Sequence, residues 1–288
     1  MANFPTIAIG LPFVHSSGLD ADAVAFLIAA GITDATITAA INRLVLNYKG
    51  QGNLNTSVNF WNNTNAIYPF VTDKTTQGDM SSQMKFNLKD PRDDNAAYRL
   101  TFSGGWTHSA NGSLPNGINA YADTFFQPNL LNQNSARYGY YSRTQYNATN
   151  QCEIGCFNAG NSSGVSVGAT SSAAVLGGVQ YGRVNETAGT FMQSSNLTTL
   201  GWFMSNRRAS NIENIWKNKT KQQEVTNASV APNAVNVQFA CQNNNGIQSL
   251  FSSKQMAFGV IGGGLSDVNQ NIEYDIIQQF QTDLGRAV

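Results

Sequence analysis

Residues 256–288, MAFGVIGGGLSDVNQNIEYDIIQQFQTDLGRAV, read as a short apolar strand, three glycines and one helix that takes the chain to its last residues. Ile272, Ile276, Phe280 and Leu284 recur every four residues with Ile277 beside them, which makes one apolar stripe. Ser266 is placed to cap that helix, and Asp267 to sit at the positive end of its dipole. Upstream, from residue 66, the texture is different. AIYPFV, MKFNL, AYRLTF, YGYYSRT, TLGWFMSNR, NIWKN, VNVQFA and MAFGVI are short apolar or alternating runs with strand character. Sharp-turn pairs such as Asn111-Gly112, Asn116-Gly117 and Asn245-Gly246 separate some of them. Many strands with regular turns, closed by one amphipathic helix, predict a mainly β fold of the sandwich kind.

The polarity of the 288 residues comes from Asn, Gln, Ser, Thr and Gly rather than from charge: 12% are charged and the formal net charge is zero. Short polar side chains compete with the helical backbone, so this composition favours turns and strands. Zero net charge without a basic stripe excludes a nucleic-acid footprint. The first residues lack a basic start and a long apolar run, so no secretory signal is expected. No stretch approaches the length of a membrane-spanning helix, so no membrane insertion is expected. Three scattered cysteines suit a reducing site of folding better than a disulfide framework. The sequons at Asn62, Asn147 and Asn185 read as chance in an Asn-rich chain.

The chain divides, on this reading, into residues 1–55 and 56–288. The first part opens with an extended arm over residues 1–18, where Pro5 and Pro12 resist helix. A short helix over residues 20–30 is stopped by Gly31. A second, capped by Thr33 or Asp34, carries Ile37, Ile41, Leu44, Val45 and Tyr48 at helical spacing. Together they form an N-terminal unit. The second part is the sandwich with its closing helix, in which residues 158–176 read as a loop followed by a strand of small residues.

Several phrases carry a family resemblance. AIYPFV, KFNLKDPRDDNAAYRLTFSGGWTHSANG, NAYADTFF, YYSRT and the AF-x-x-IG-x-GLSD ending with FQTDLGR resemble phage-encoded virion proteins of head fibres, tail fibres and capsid decorations. NRRASNIENIWKNKTK resembles the hairpin of a laminin-G-like pattern, with Asn218-Lys219 where Asn-Gly is usual, and TDKTTQGDMSSQ looks like an insertion. The resemblance covers roughly residues 66–288. It implies a concanavalin A-like, laminin-G-like jelly roll in a structural protein of the phage particle, folded in the host cytoplasm. It implies docking to other virion proteins (capsid, portal or tail) through the N-terminal region, with the arm over residues 4–14 as a docking strand. It further implies homo-oligomers, trimers by analogy with fibres, that present the sandwich outward to engage host-surface glycans weakly.

Chemistry-bearing residues are sparse. His15 and His108 are the only histidines, and neither sits in a motif that supplies a nucleophile and an orienting carboxylate. Cys152 and Cys156, with Cys241 as a third ligand, fall short of the paired spacing of structural zinc sites, so free thiols are expected. A Cys152–Cys156 disulfide would close a very small loop. Asp90, Asp93 and Asp94 read as a turn with local Asx bonds rather than a calcium loop. Gly262–Gly264 reads as a tight strand-to-helix turn. No cofactor, metal or catalytic residue is expected, and the chain reads as non-enzymatic. The alternative, a polysaccharide depolymerase, needs two carboxylates about 5–10 Å apart in an aromatic cleft. Sugar faces stack on aromatic rings. Trp106, Tyr121, Tyr140 and Trp202 are the glycan-binding candidates, with Trp216 beside them, each competing with a role in the sandwich core.

Overall fold

The computed structural model describes residues 18–145, 151–158, 161–168, 178–187 and 192–288. The helices are α1 (Ala21–Ala30), α2 (Ala35–Tyr48), α3 (Gln77–Met84) and α4 (Asp267–Asp283). The strands run, in chain order, β1 (Thr64–Tyr68), β2 (Thr101–Ser103), β3 (Trp106–Ser109), β4 (Gly112–Pro115), β5 (Tyr121–Asp123), β6 (Ala136–Ser142), β7 (Ile154–Asn158), β8 (Asn161–Gly168) and β9 (Gly178–Glu186). They continue with β10 (Met192–Leu197), β11 (Gly201–Ala209), β12 (Ile212–Lys217), β13 (Thr220–Val225), β14 (Gln238–Phe239), β15 (Gln242–Asn244), β16 (Ile247–Ser249) and β17 (Met256–Gly262). One sheet has the order β13-β12-β11-β6-β17-β4-β3, with β1 also on β17. The other has the order β10-β9-β8-β7-β14-β5-β2, with β15 on β7 and β16 on β15.

The two sheets face each other over a core of Tyr138, Tyr140, Phe203 and Ile261 from the first and Ala122, Ile154, Val184 and Phe239 from the second. A second core lies on the other side of the first sheet. There Tyr141, Trp202, Met204, Trp216, Phe258 and Val260 meet Phe26, Ile41, Leu44, Val45, Ile276, Ile277 and Phe280 of α1, α2 and α4. Successive strand residues point to opposite faces, so Tyr140 enters one core and Tyr141 the other. Burial on both faces explains why β6 and β17 are buried at every residue. Gly139 on β6 makes room for the Trp202 indole, which a Cβ there would overlap.

The N-terminal helices therefore belong to the body of the sandwich. Across the boundary expected at residue 55, α1 and α2 share one apolar cluster with α4 and the first sheet. Polar groups stitch the layers as well. Arg137 of β6 is fully buried and lies 2.8 Å from Glu273 of α4, while the Tyr48 hydroxyl of α2 donates to the same carboxylate at 3.2 Å. Thr33 and Asp34 donate their backbone N–H groups to Asp73 beyond β1. The capping expectations hold: Asp34 accepts from Ile37 N, and Ser266 from Asn269 N.

Three local readings change. Helix α3 runs from within TDKTTQGDMSSQ to the first residue of MKFNL, which forms no strand; Phe86 and Leu88 reach the core from an irregular segment. Residues 161–168 of the small-residue stretch are strand, and the rest of that expectation extends beyond the described residues. The arm over residues 1–17 and His15 also lie outside the described residues. No helix is long and apolar enough to cross a membrane, among the described residues.

Candidate functional site

Two of the four aromatic candidates are core. Tyr140 is fully buried and stacks on Phe203, with ring centroids 5.7 Å apart. Burial first, and the Glu153 carboxylate second, hold its phenol pKa well above the ordinary value. Trp202 is fully buried on the opposite side of the sheet, edge-on to Phe258 at 6.2 Å. Neither ring can meet a sugar: the second sheet covers Tyr140, and the helical layer covers Trp202 on the face that a two-layer sandwich would leave open. Trp216 is buried in that same helix-side core, its indole N–H donating to Asn214 Oδ1 at 2.8 Å.

Trp106 and Tyr121 are half-buried, and the structure brings them together at the edge of the second sheet. Ala122 of β5 points into the core, so Tyr121 and Asp123 point to the outer face. The ladder places Ser103 opposite Tyr121, and Thr101 and Gln238 on either side of Asp123. The Trp106 indole N–H donates to Ser103 O at 2.9 Å and Tyr121 O at 3.2 Å, so the ring clamps the ends of β2 and β5. Phe102 meets it edge-on at 5.2 Å.

Asp123 is the polar centre of this edge. Its Oδ1 accepts from Phe125 N at 2.7 Å and Asn236 Nδ2 at 3.1 Å, and its Oδ2 from Gln238 Nε2 at 2.8 Å. Gln127 donates in turn to Asn236 Oδ1. A carboxylate has about four acceptor positions, so one remains on Oδ2. The Tyr121 hydroxyl has no hydrogen-bond partner among the described residues. Beside it, Asn116 Oδ1 accepts from the backbone N–H groups of Ile118, Asn119 and Ala120, and its amide donates to Asn119 Oδ1. That turn holds Ile118 74% exposed. A fixed carboxylate with flanking amides and an accessible ring can bond adjacent hydroxyls while stacking on an apolar C–H face.

The other candidate groups are structural. His108 is buried, with Nδ1 2.9 Å from Ser113 Oγ, and burial lowers its pKa to about 4. Cys152, Cys156 and Cys241 are buried and unpaired, and burial raises Cys156 to about 12. Asp90 bonds Arg92, Asp93 bonds Lys85 and Arg99, and Asp94 caps Ala96 N, so the acidic turn is internally neutralised. Among the described residues, no three of His, Cys, Asp and Glu are grouped to hold a metal ion. A depression of about 330 Å³ lies where α1 meets α3, lined by Ala30, Lys74, Asp79, Ser82, Lys85 and Phe86, but Lys74 and Lys85 are already paired with Asp73 and Asp93. Asp123, Asn236 and Gln238 were not singled out from sequence. The available signal was Asp123 two residues after Tyr121, the spacing that puts both on one strand face.

No protein-family model matches the chain, and no curated protein matches it. Its fold does match solved structures. One is botulinum neurotoxin type C, which enters cells through interaction with two ganglioside molecules; the TM-score is 0.50 at 10% identity, over 76% of this chain and 52% of that one. The chain thus spans about half the length of the neurotoxin chain it matches. The architecture is a jelly-roll β-sandwich. Domain 4 of AbnA, an extracellular arabinanase from Geobacillus stearothermophilus solved with arabinotriose, is also similar, with a TM-score of 0.46 at 10% identity over 75% of this chain and 98% of that one. At this identity the likeness to the neurotoxin concerns fold, and it agrees with the jelly roll expected from the sequence.

Proposed function

We propose that this chain is a lectin-like module that binds glycans at the Tyr121–Asp123 edge of its second sheet, with Trp106 supporting the edge from below. The observation that carries the reading is the pairing of a half-exposed tyrosine with a carboxylate fixed by three donors, on the second sheet rather than the one that α1, α2 and α4 pack against. Tyr121 supplies the stacking face, and Asp123 with Asn236 supplies acceptor and donor for adjacent hydroxyls. The function is binding without turnover, since Asp123 is the single carboxylate that these hydrogen bonds place at the edge.

The wider setting we propose is a phage particle, in which the chain serves as a head-fibre, tail-fibre or decoration protein and docks through its N-terminal region as a homo-oligomer. The sequence phrases that resemble virion proteins support this, as does a polarity that comes from amides and hydroxyls rather than charge. Two measurements test the two parts separately. On a glycan array the wild-type chain should bind a defined set of sugars, and Tyr121→Ala should lose them while melting at the same temperature. Unchanged binding by Tyr121→Ala would move the site elsewhere. Antibody labelling of purified particles should decorate heads or tails; detection only in the lysate of infected cells would refute the virion setting.

A further inference from the structure

One end of the sandwich holds a carboxylate and a carboxamide against the same amine. Lys254, on the segment leading into β17, and Glu153, just before β7, are both fully buried, with Nζ 2.9 Å from Oε1. The same Nζ lies 2.7 Å from Oε1 of half-buried Gln151. Ser252 Oγ donates to Glu153 Oε1 at 3.0 Å, and the Gln151 amide nitrogen donates to Ser253 Oγ at 3.0 Å. Backbone bonds fix the three groups: Cys152 N donates to Leu250 O, and Ala240 N to Glu153 O, each at 2.8 Å. A buried ion pair needs only Lys254 and Glu153. Here the amine also touches an acyl group whose nitrogen is a leaving group, and that nitrogen is held by a neighbouring hydroxyl.

We propose that Lys254 and Gln151 join in an intramolecular isopeptide bond, with Glu153 as the proton relay. The Lys254 ammonium passes one proton to Glu153, and the freed amine attacks Cδ of Gln151, forming the new C–N bond. Glu153 hands that proton to Nε2, the Cδ–Nε2 bond breaks, and the second amine proton follows the same route. Nitrogen leaves as ammonium, one amide replaces another, and Glu153 returns to its starting state. No oxidant, cofactor or second substrate is required. The rate comes from fixing nucleophile and acyl group in contact, where effective concentrations far exceed those in solution, and from a carboxylate positioned for proton transfer. The bond ties residues 103 apart in sequence. It links the approach to β17 in one sheet with the start of β7 in the other, so the sheets cannot part without breaking a covalent bond.

The inference is independent of the glycan reading, and intact mass spectrometry of the folded full chain tests it. The mass should be lower than the sequence mass by one ammonia, and proteolysis should release a branched peptide joining Gln151 to Lys254. Gln151→Ala keeps the charge pair and should show its full mass with no branched peptide. Glu153→Gln should slow or abolish bond formation while leaving both reacting groups. Loss of water with a Lys254–Glu153 branch would overturn the assignment. So would an unshifted wild-type mass after prolonged incubation of folded protein, or ammonia loss that persists in Gln151→Ala.

Discussion

At the scale of single residues, burial separates the aromatic side chains by role. Trp202 and Tyr121 were equal candidates in the sequence, since each is an aromatic residue in or beside a run with strand character. Trp202→Ala should destabilise the protein by about 3–5 kcal/mol, measured by denaturant unfolding, because it empties a packed site between sheet and helices. Tyr121→Ala should fall within about 0.5 kcal/mol of wild type, as half-exposed substitutions do. His108 gives the chain a defined acid response. Its pKa is about 4 when folded against an ordinary 6.5. Between those values the unfolded chain takes up a proton that the folded chain refuses, so stability is complete above about pH 6.5 and falls toward pH 4. The loss is on the order of 3 kcal/mol. Urea titrations at a series of pH values should show that slope in wild type and a flatter one in His108→Asn; equal slopes would mean that His108 is not the titrating group.

At the scale of elements, the parts with strong local signals were legible and the parts held by partners were not. The stripe from Ile272 to Leu284 and the caps at Asp34 and Ser266 follow from spacing and side-chain chemistry, and the structure contains them as read. Helix α3 has almost no apolar periodicity; it is held by Thr76 bonding Asp79 and by Gln77 reaching across to β3. That reach has a purpose visible only in three dimensions. Gln77 Oε1 accepts from His108 N at 2.6 Å and its Nε2 donates to His108 O at 2.8 Å, so one side chain occupies the open edge of a sheet. At the opposite side, Gln223 Oε1 of β13 accepts from Gln193 N of β10, which closes the edges of the two sheets on each other. Exposed edges invite pairing with other chains. Gln77→Ala should accelerate hydrogen exchange at the His108 amide with little change in global stability; an unchanged exchange rate would show that the contact does not protect the edge.

At the scale of the molecule, the helical layer explains both what the sequence reading found and what it missed. A two-layer sandwich leaves one face of each sheet in water, and on that expectation Tyr140 and Trp202 were as good as Trp106 and Tyr121. Packing against the second sheet buries Tyr140, and the layer of α1, α2 and α4 buries Trp202 on the opposite face, so the first sheet is covered on both sides. The jelly roll itself was readable from strand runs, turns and the closing helix. The position of the site was not, because it depends on which sheet is covered, and on long-range partners such as Asn236 and Gln238 reaching Asp123 from more than a hundred residues away. The most direct test of the account is backbone amide shift mapping of the folded chain with the glycan that binds best on the array. Shifts confined to residues 101–103, 116–123 and 236–238 are the predicted result. Shifts centred on the depression between α1 and α3, or on any face away from Tyr121 and Asp123, would contradict it.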